Sequence, residues 1–174
     1  MPNRGHPPEA GEEQLSDIEP VQPSAALRER VLASVDPATR FEGFVLRVAR
    51  LFDLAEDGAR RVLASAGAAD TEGWVASEID GVRLYHFEGG PTVAAADCGL
   101  VHLAPGTAFP RHRHLGDEWN LVLSGSAEED SGEVWLPGDL AIREAGSVHG
   151  FRALGDEPFV FAVILNGGIE PIDA

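Results

Sequence analysis

Residues 106–125 read GTAFPRHRHLGDEWNLVLSG, and the fold turns on how this stretch is read. His112 and His114 stand one residue apart, Glu118 follows four positions further on, and an alternating apolar segment runs into Ser124-Gly125. Successive side chains of an extended strand point to opposite faces, so the two histidines share a face. Glu118 keeps that parity, and a continuing strand sets Asn120 and Val122 on the same inner side. Arg111, Arg113 and Trp119 alternate outward, as surface or second-sheet residues.

His149 lies about thirty residues beyond Glu118, after the turn WLPGD at 135–139, in REAGSVHGF. A hairpin-like return of that length brings its imidazole beside the other three groups. Three neutral imidazoles and one carboxylate suit a borderline divalent metal such as zinc, iron, manganese, nickel or copper. They do not suit calcium or magnesium, which take oxygen ligands. Phe151 shares parity with His149 and, with Asn120 and Val122, is expected to line the pocket. Glu144 and Arg143 stand beside Gly146 as candidate gate residues at the pocket mouth. On these residues alone three possibilities stay open: a metal that does chemistry, a metal that reports on chemistry, and no metal.

The remaining residues narrow the field by exclusion. At 174 residues, 44% apolar and 24% charged, the chain has room for one ordinary domain with a proper core. Its net charge of −16 repels phosphate backbones, which argues against nucleic acid as a partner. All 13 cations are arginine, so phosphate-binding-loop and Schiff-base lysine chemistry are excluded. Cys98 is the single cysteine, which excludes an intrachain disulfide and a multi-cysteine zinc module. Without a resolving partner it is expected to be an inert buried thiol. His86 and His102 are expected to pair or pack rather than bind metal. No apolar run is long enough to span a membrane, and the N-terminus lacks the pattern of a signal peptide, so the expected location is cytoplasmic.

Residues 1–23 hold five prolines among scattered acids and read as a disordered tail. Ser24 caps an expected helix carrying Leu27, Val31, Leu32 and Val35, and Asp36-Pro37 ends it and starts a second. In that second helix Phe41, Phe44, Val45, Val48, Leu51 and Phe52 form one apolar face. Asp53 with Glu56 is expected to form a capping box for a third helix, stopped by Gly67. Helix, acidic turn and helix is also the outline of a helix-turn-helix, but in so negative a chain a hairpin docked on the next domain, or on a second copy, is the plainer account. Beyond a boundary near residue 70 the period switches to two. Strands are expected at 82–87, 92–103, 117–124, 133–136, 139–143, 148–153 and 158–165, a mainly β, antiparallel barrel or jelly roll over 71–174 preceded by a helical extension over 24–70.

Gly106, His112, His114, Glu118 and Gly125, separated by five, one, three and six residues, resemble the complete first motif of the cupin superfamily. Gly138, Gly146 and His149 resemble the second, with Glu144 where cupins normally have proline and Ala153 where many have asparagine. The resemblance implies a small β-barrel around a metal, over roughly 75–165. Within the superfamily, GLVHLAPGTAFPRHRHLGDEWNLVLSG and GDLAIREAGSVHGF resemble the C-terminal cupin of ChrR-type anti-sigma factors, and SAALRERVLASV resembles their connecting helix. That family implies zinc at His112, His114, Glu118 and His149, a homodimer, a sigma factor as partner and a sensory role in a transcriptional stress response. It also implies an N-terminal His…Cys-Cys zinc module, whereas the residues before the barrel contain His6 and no cysteine. A metal-dependent dioxygenase or isomerase acting on a small molecule in the barrel is the alternative within the superfamily.

Overall fold

A computed structural model of the chain describes Ser24, Leu27 and residues 39–67 and 72–172. The expected tail, most of the first helix, the Asp36-Pro37 start of the second and the boundary near residue 70 lie outside the described residues. At Ser24 the cap is present, its Oγ accepting from Leu27 N–H at 3.2 Å. Residues 36–174 form one compact unit.

Helical structure in that unit begins with a 3₁₀ turn, Glu42–Phe44, continued by α1 (Val45–Leu51). A second helix, α2, spans Glu56–Ala66 and gives way at Gly67. Asp53 does not cap it, contrary to expectation. The N-cap is Ala55, without a side-chain bond, while Asp53 adopts φ +53° and its carboxylate accepts Thr92 N–H at 3.0 Å. The chain must reverse between two helices within four residues, and aspartate tolerates the left-handed conformation better than most residues.

Eleven strands follow among the described residues: β1 (Trp74–Ala76), β2 (Val82–Phe87), β3 (Asp97–Leu103), β4 (Ala108–His114), β5 (Glu118–Ser124), β6 (Ser126–Glu129), β7 (Val134–Trp135), β8 (Leu140–Arg143), β9 (Val148–Leu154), β10 (Phe159–Leu165) and β11 (Ile169–Pro171). They form a six-stranded sheet, β1-β2-β3-β10-β5-β8, and a five-stranded sheet, β11-β4-β9-β6-β7. Every pairing is antiparallel. This is a jelly roll of two facing sheets, not a barrel closed by hydrogen bonds. Residues 92–96, expected to extend β3, instead contain a 3₁₀ turn at Pro91–Val93, because proline starts a turn and cannot donate to a ladder. Four strands, β1, β4, β6 and β11, were not among those expected.

Two cores result. One lies between the sheets, around Leu103, Val122, Ala127, Trp135, Phe151, Phe159 and Phe161. The other joins the helices, through Phe41, Val45, Val48, Phe52, Ala59, Val62 and Leu63, to Leu100, Leu121, Leu123, Val160, Ala162 and Ile164 on the outer face of the six-stranded sheet. The apolar helical face is therefore covered by the chain's own sheet, and β5 and β10 are buried on both sides. No helix among the described residues is long and apolar enough to cross a membrane.

Candidate metal centre

Strand pairing explains how residues far apart in sequence meet. In β4 the partners of β9 run Phe109↔Phe151 and His112↔His149, with a register shift between them. Pro110 sits in that irregularity, where its missing N–H has no ladder bond to lose. The shift turns Phe109 inward with His112 despite their odd spacing, and Phe109 stacks on Phe151 at 5.1 Å between centroids, 5° from parallel. His114 follows two residues after His112 on the same face, and β5 brings Glu118 across from the opposite sheet to within 3.3 Å of His114 Nδ1. All four groups are buried, His114 completely.

The hydrogen bonds assign the tautomers. His112 Nδ1 donates to the Pro110 carbonyl at 2.9 Å, and His149 Nδ1 donates to Glu129 Oε1 at 2.6 Å, since an ionised carboxylate only accepts. Each ring is left with an unprotonated Nε2, and these two nitrogens face one another at 3.1 Å. Burial pushes His112 below the usual histidine range and His149 down to about 4, so neither ring supplies the missing proton near neutral pH. The fully buried His114 makes no well-formed hydrogen bond among the described residues: Nδ1 has only the 3.3 Å ion-pair contact with Glu118, and Nε2 has no partner. An unsatisfied buried polar atom costs roughly 1–3 kcal/mol. His112, His114 and His149 each offer one nitrogen, all within 4.8 Å of one another, and so could hold a metal ion. Opposed lone pairs and an unpartnered buried imidazole nitrogen are what a bound cation would satisfy, so the residues present fit the group.

Around this set the remaining expected site residues take different places. Asn120, 1% exposed, donates from Nδ2 to Glu118 Oε1. Burial alone would raise the Glu118 carboxyl, but His114 and the Asn120 amide outweigh it and hold the group below the usual carboxylate range. Val122 is fully buried in the core between the sheets. Phe151 lines a cavity of about 580 Å³ that also reaches His112 and Glu118, with walls formed by Leu84, Val101, Phe161 and Val163. Glu144 is exposed in the turn between β8 and β9, where its carbonyl accepts from Ser147. It is not brought to the cavity wall.

Two features were missed by sequence reasoning. Glu129, 7% exposed, joins His149 to Arg143, which donates Nε and Nη2 to the same Oε1 at 3.1 and 2.8 Å. Ser131 Oγ donates to Oε2 at 2.8 Å. Burial would raise Glu129 too, but Ser131, His149 and Arg143 together hold it below the usual range. Arg143 lies over the Trp135 ring at 5.1 Å, and neither residue is among those lining the cavity. The second feature is where a pair stands: His86 Nδ1 and Asp97 Oδ1, 3.0 Å apart, both line the cavity, a place the sequence did not suggest. His86 thus pairs as expected, and His102 packs edge-on to Trp74.

Residues 99–165 match the model of the cupin domain family. No protein of curated function matches the sequence. Among solved structures, a complex of SigE with the anti-sigma ChrR from Rhodobacter sphaeroides is similar over 86% of this chain and 71% of that one, at 22% identity and a TM-score of 0.52. An acetylacetone dioxygenase from Acinetobacter johnsonii aligns over 60% of this chain and 74% of its own, at 18% identity and a TM-score of 0.50. An RmlC-like cupin from Ralstonia eutropha JMP134 aligns over 57% of this chain at 21% identity and a TM-score of 0.51. The chain spans less than two thirds of that protein, 66%, and 59% of a further cupin-like structure from the same organism. At these identities the likeness is one of fold. The jelly-roll topology, the motif spacing and the family match agree that the chain has the cupin fold and carries a cupin domain over residues 99–165.

Proposed function

We propose that the chain is a metal-binding cupin which holds one divalent transition metal, zinc foremost, through His112, His114, Glu118 and His149, and serves as a sensory domain in a transcriptional stress response. The metal half is carried by His114, fully buried with Nε2 unpartnered and Nδ1 against Glu118, beside the opposed nitrogens of His112 and His149. When bound, a divalent ion would supply Lewis acidity at the inner end of the cavity. The chain's own groups prepare the place: Asn120 orients Glu118, Pro110 and Glu129 set the tautomers of His112 and His149, and the cavity beside them is walled mainly by apolar side chains. The sensory half is supported by the extent of the likeness to the SigE–ChrR structure, which covers 86% of the chain and so reaches beyond the cupin domain at 99–165. A sigma factor is the partner this reading implies, and a homodimer the assembly.

One observation favours a second reading, a metal-dependent dioxygenase or isomerase. The His86–Asp97 pair faces the same cavity as His112 and Glu118, as an acid/base group near a substrate would. Elemental analysis of protein purified without added metal separates the two. About one zinc per chain, no oxygen uptake with small diketones, and co-purification of a sigma factor are expected from the sensory reading. Stoichiometric iron with turnover would replace it by the enzyme reading, and absence of any bound metal would overturn both.

A further inference from the structure

We infer that Glu129 is a positioning residue for the metal centre, holding His149 in the one tautomer and orientation that offers Nε2 to a cation. This rests on the reading of His149 as a ligand and goes beyond it, because nothing in the cupin motif spacing includes position 129. A neutral imidazole carries one proton, and the nitrogen that keeps it cannot bind a metal. Glu129 places an ionised oxygen 2.6 Å from His149 Nδ1, so the proton stays there.

The carboxylate is itself held in place. β6 pairs with β9 through Glu129↔Phe151, which puts Glu129 diagonally opposite His149 on the inner face. Arg143 approaches from β8 and donates twice to Oε1, and Ser131 secures Oε2, so every lone pair in use has a defined direction. Arg143 pairs in register with Glu118 on β5, so the same guanidinium ties the strand of the carboxylate ligand to the strand positioning the histidine ligand. Glu133 also reaches Arg143, at 3.3 Å, but from an exposed position that touches no ligand.

The test uses the full chain, with ¹⁵N spectra of the histidine rings in the metal-free protein and zinc titration against a competing chelator. In the wild type His149 is expected as the Nδ1–H tautomer. Glu129→Gln keeps the shape but removes the obligatory acceptor, so the tautomer should become mixed and zinc affinity should fall by about 10–100-fold. Glu129→Asp, which keeps the charge at shorter reach, should restore part of that loss. Should Glu129→Gln fail to fold by circular dichroism, the aspartate variant carries the test alone, with a smaller shift in the same direction. Glu133→Gln should leave both measurements unchanged. Zinc affinity within about twofold of wild type in Glu129→Gln, or an equal loss in Glu133→Gln, would overturn the inference. If His149→Ala also binds zinc normally, the ligand reading fails with it. If His149→Ala loses zinc while Glu129→Gln does not, only the positioning role fails.

Discussion

A histidine offers a cation one lone pair, and the bond made by its other nitrogen decides which. His112 obtains that bond from a backbone carbonyl two residues away, whereas His149 obtains it from a side chain twenty residues away in sequence. The first is a local consequence of the strand, the second a tertiary one. His112→Ala and His114→Ala should each remove most of the bound metal, measured by elemental analysis of protein that still gives a β-rich circular dichroism spectrum. Cys98 makes a contrasting case. Burial, helped by the neighbouring Asp97 carboxylate, pushes its thiol above the ordinary range, so less thiolate is present than in a free cysteine at the same pH. Iodoacetamide at pH 8 is expected to label it only after unfolding in urea, and rapid labelling of the folded chain would refute this. The histidine pair was legible in the sequence because its spacing matches strand parity, whereas Glu118 was expected on the same continuing strand and instead stands on β5 in the opposite sheet. Glu129 was not legible, since it stands among Glu128, Asp130 and Glu133 with no local mark to separate it.

At the scale of elements, apolar patterning, alternating in β2 and a continuous run in β10, made β2, β5, β9 and β10 legible within about a residue. The missed strands are those whose own composition argues against them. β4 contains Pro110, two arginines and two histidines, and β6 reads SAEE. They are strands because the neighbouring ladder and the core take them in, an override of local propensity by tertiary context. The turn at Asp53 shows the same hierarchy in miniature. Asp53→Ala keeps the left-handed backbone but loses the carboxylate that holds Thr92, and is expected to cost about 1–3 kcal/mol. Asp53→Gly loses the same bond but relieves the backbone, so its denaturation midpoint should lie between those of Asp53→Ala and the wild type. Phe52, fully buried against Phe87 at 5.0 Å, is the larger anchor, and Phe52→Ala should cost about 3–5 kcal/mol in urea unfolding.

For the whole molecule, the docking of α1 and α2 changes what the helices can be used for. Their apolar stripe is spent on the outer face of the six-stranded sheet, where Leu100, Leu121, Leu123, Val160, Ala162 and Ile164 meet it. A chain beginning at Glu72 would leave that face open to water, and is expected to aggregate or to lose cooperative thermal unfolding. A truncation that stayed monomeric and melted as sharply as the full chain would show the helices to be dispensable. Metal adds stability by mass action, since an ordered site exists only in the folded state. Free zinc at about 100 times its dissociation constant should contribute about 2.7 kcal/mol, seen as a melting temperature higher by roughly 5–10 °C than in chelator. Equal melting in zinc and chelator would count against a metal at this place.

The sequence by itself determined the jelly-roll class, the set of histidines and glutamate worth examining, and the helical apolar stripe, because each follows from a period or spacing that a local backbone geometry enforces. Tertiary structure alone decided that β6 is a strand, that Glu118 faces His114 from the opposite sheet, that a register shift at Pro110 brings Phe109 and His112 to one side, and that the stripe faces the chain's own sheet. It alone also singled out Glu129 as the carboxylate on His149. Each of these depends on which strands become neighbours, and strand neighbours are chosen by burial and pairing summed over the whole chain, not by the residues on either side of the one concerned.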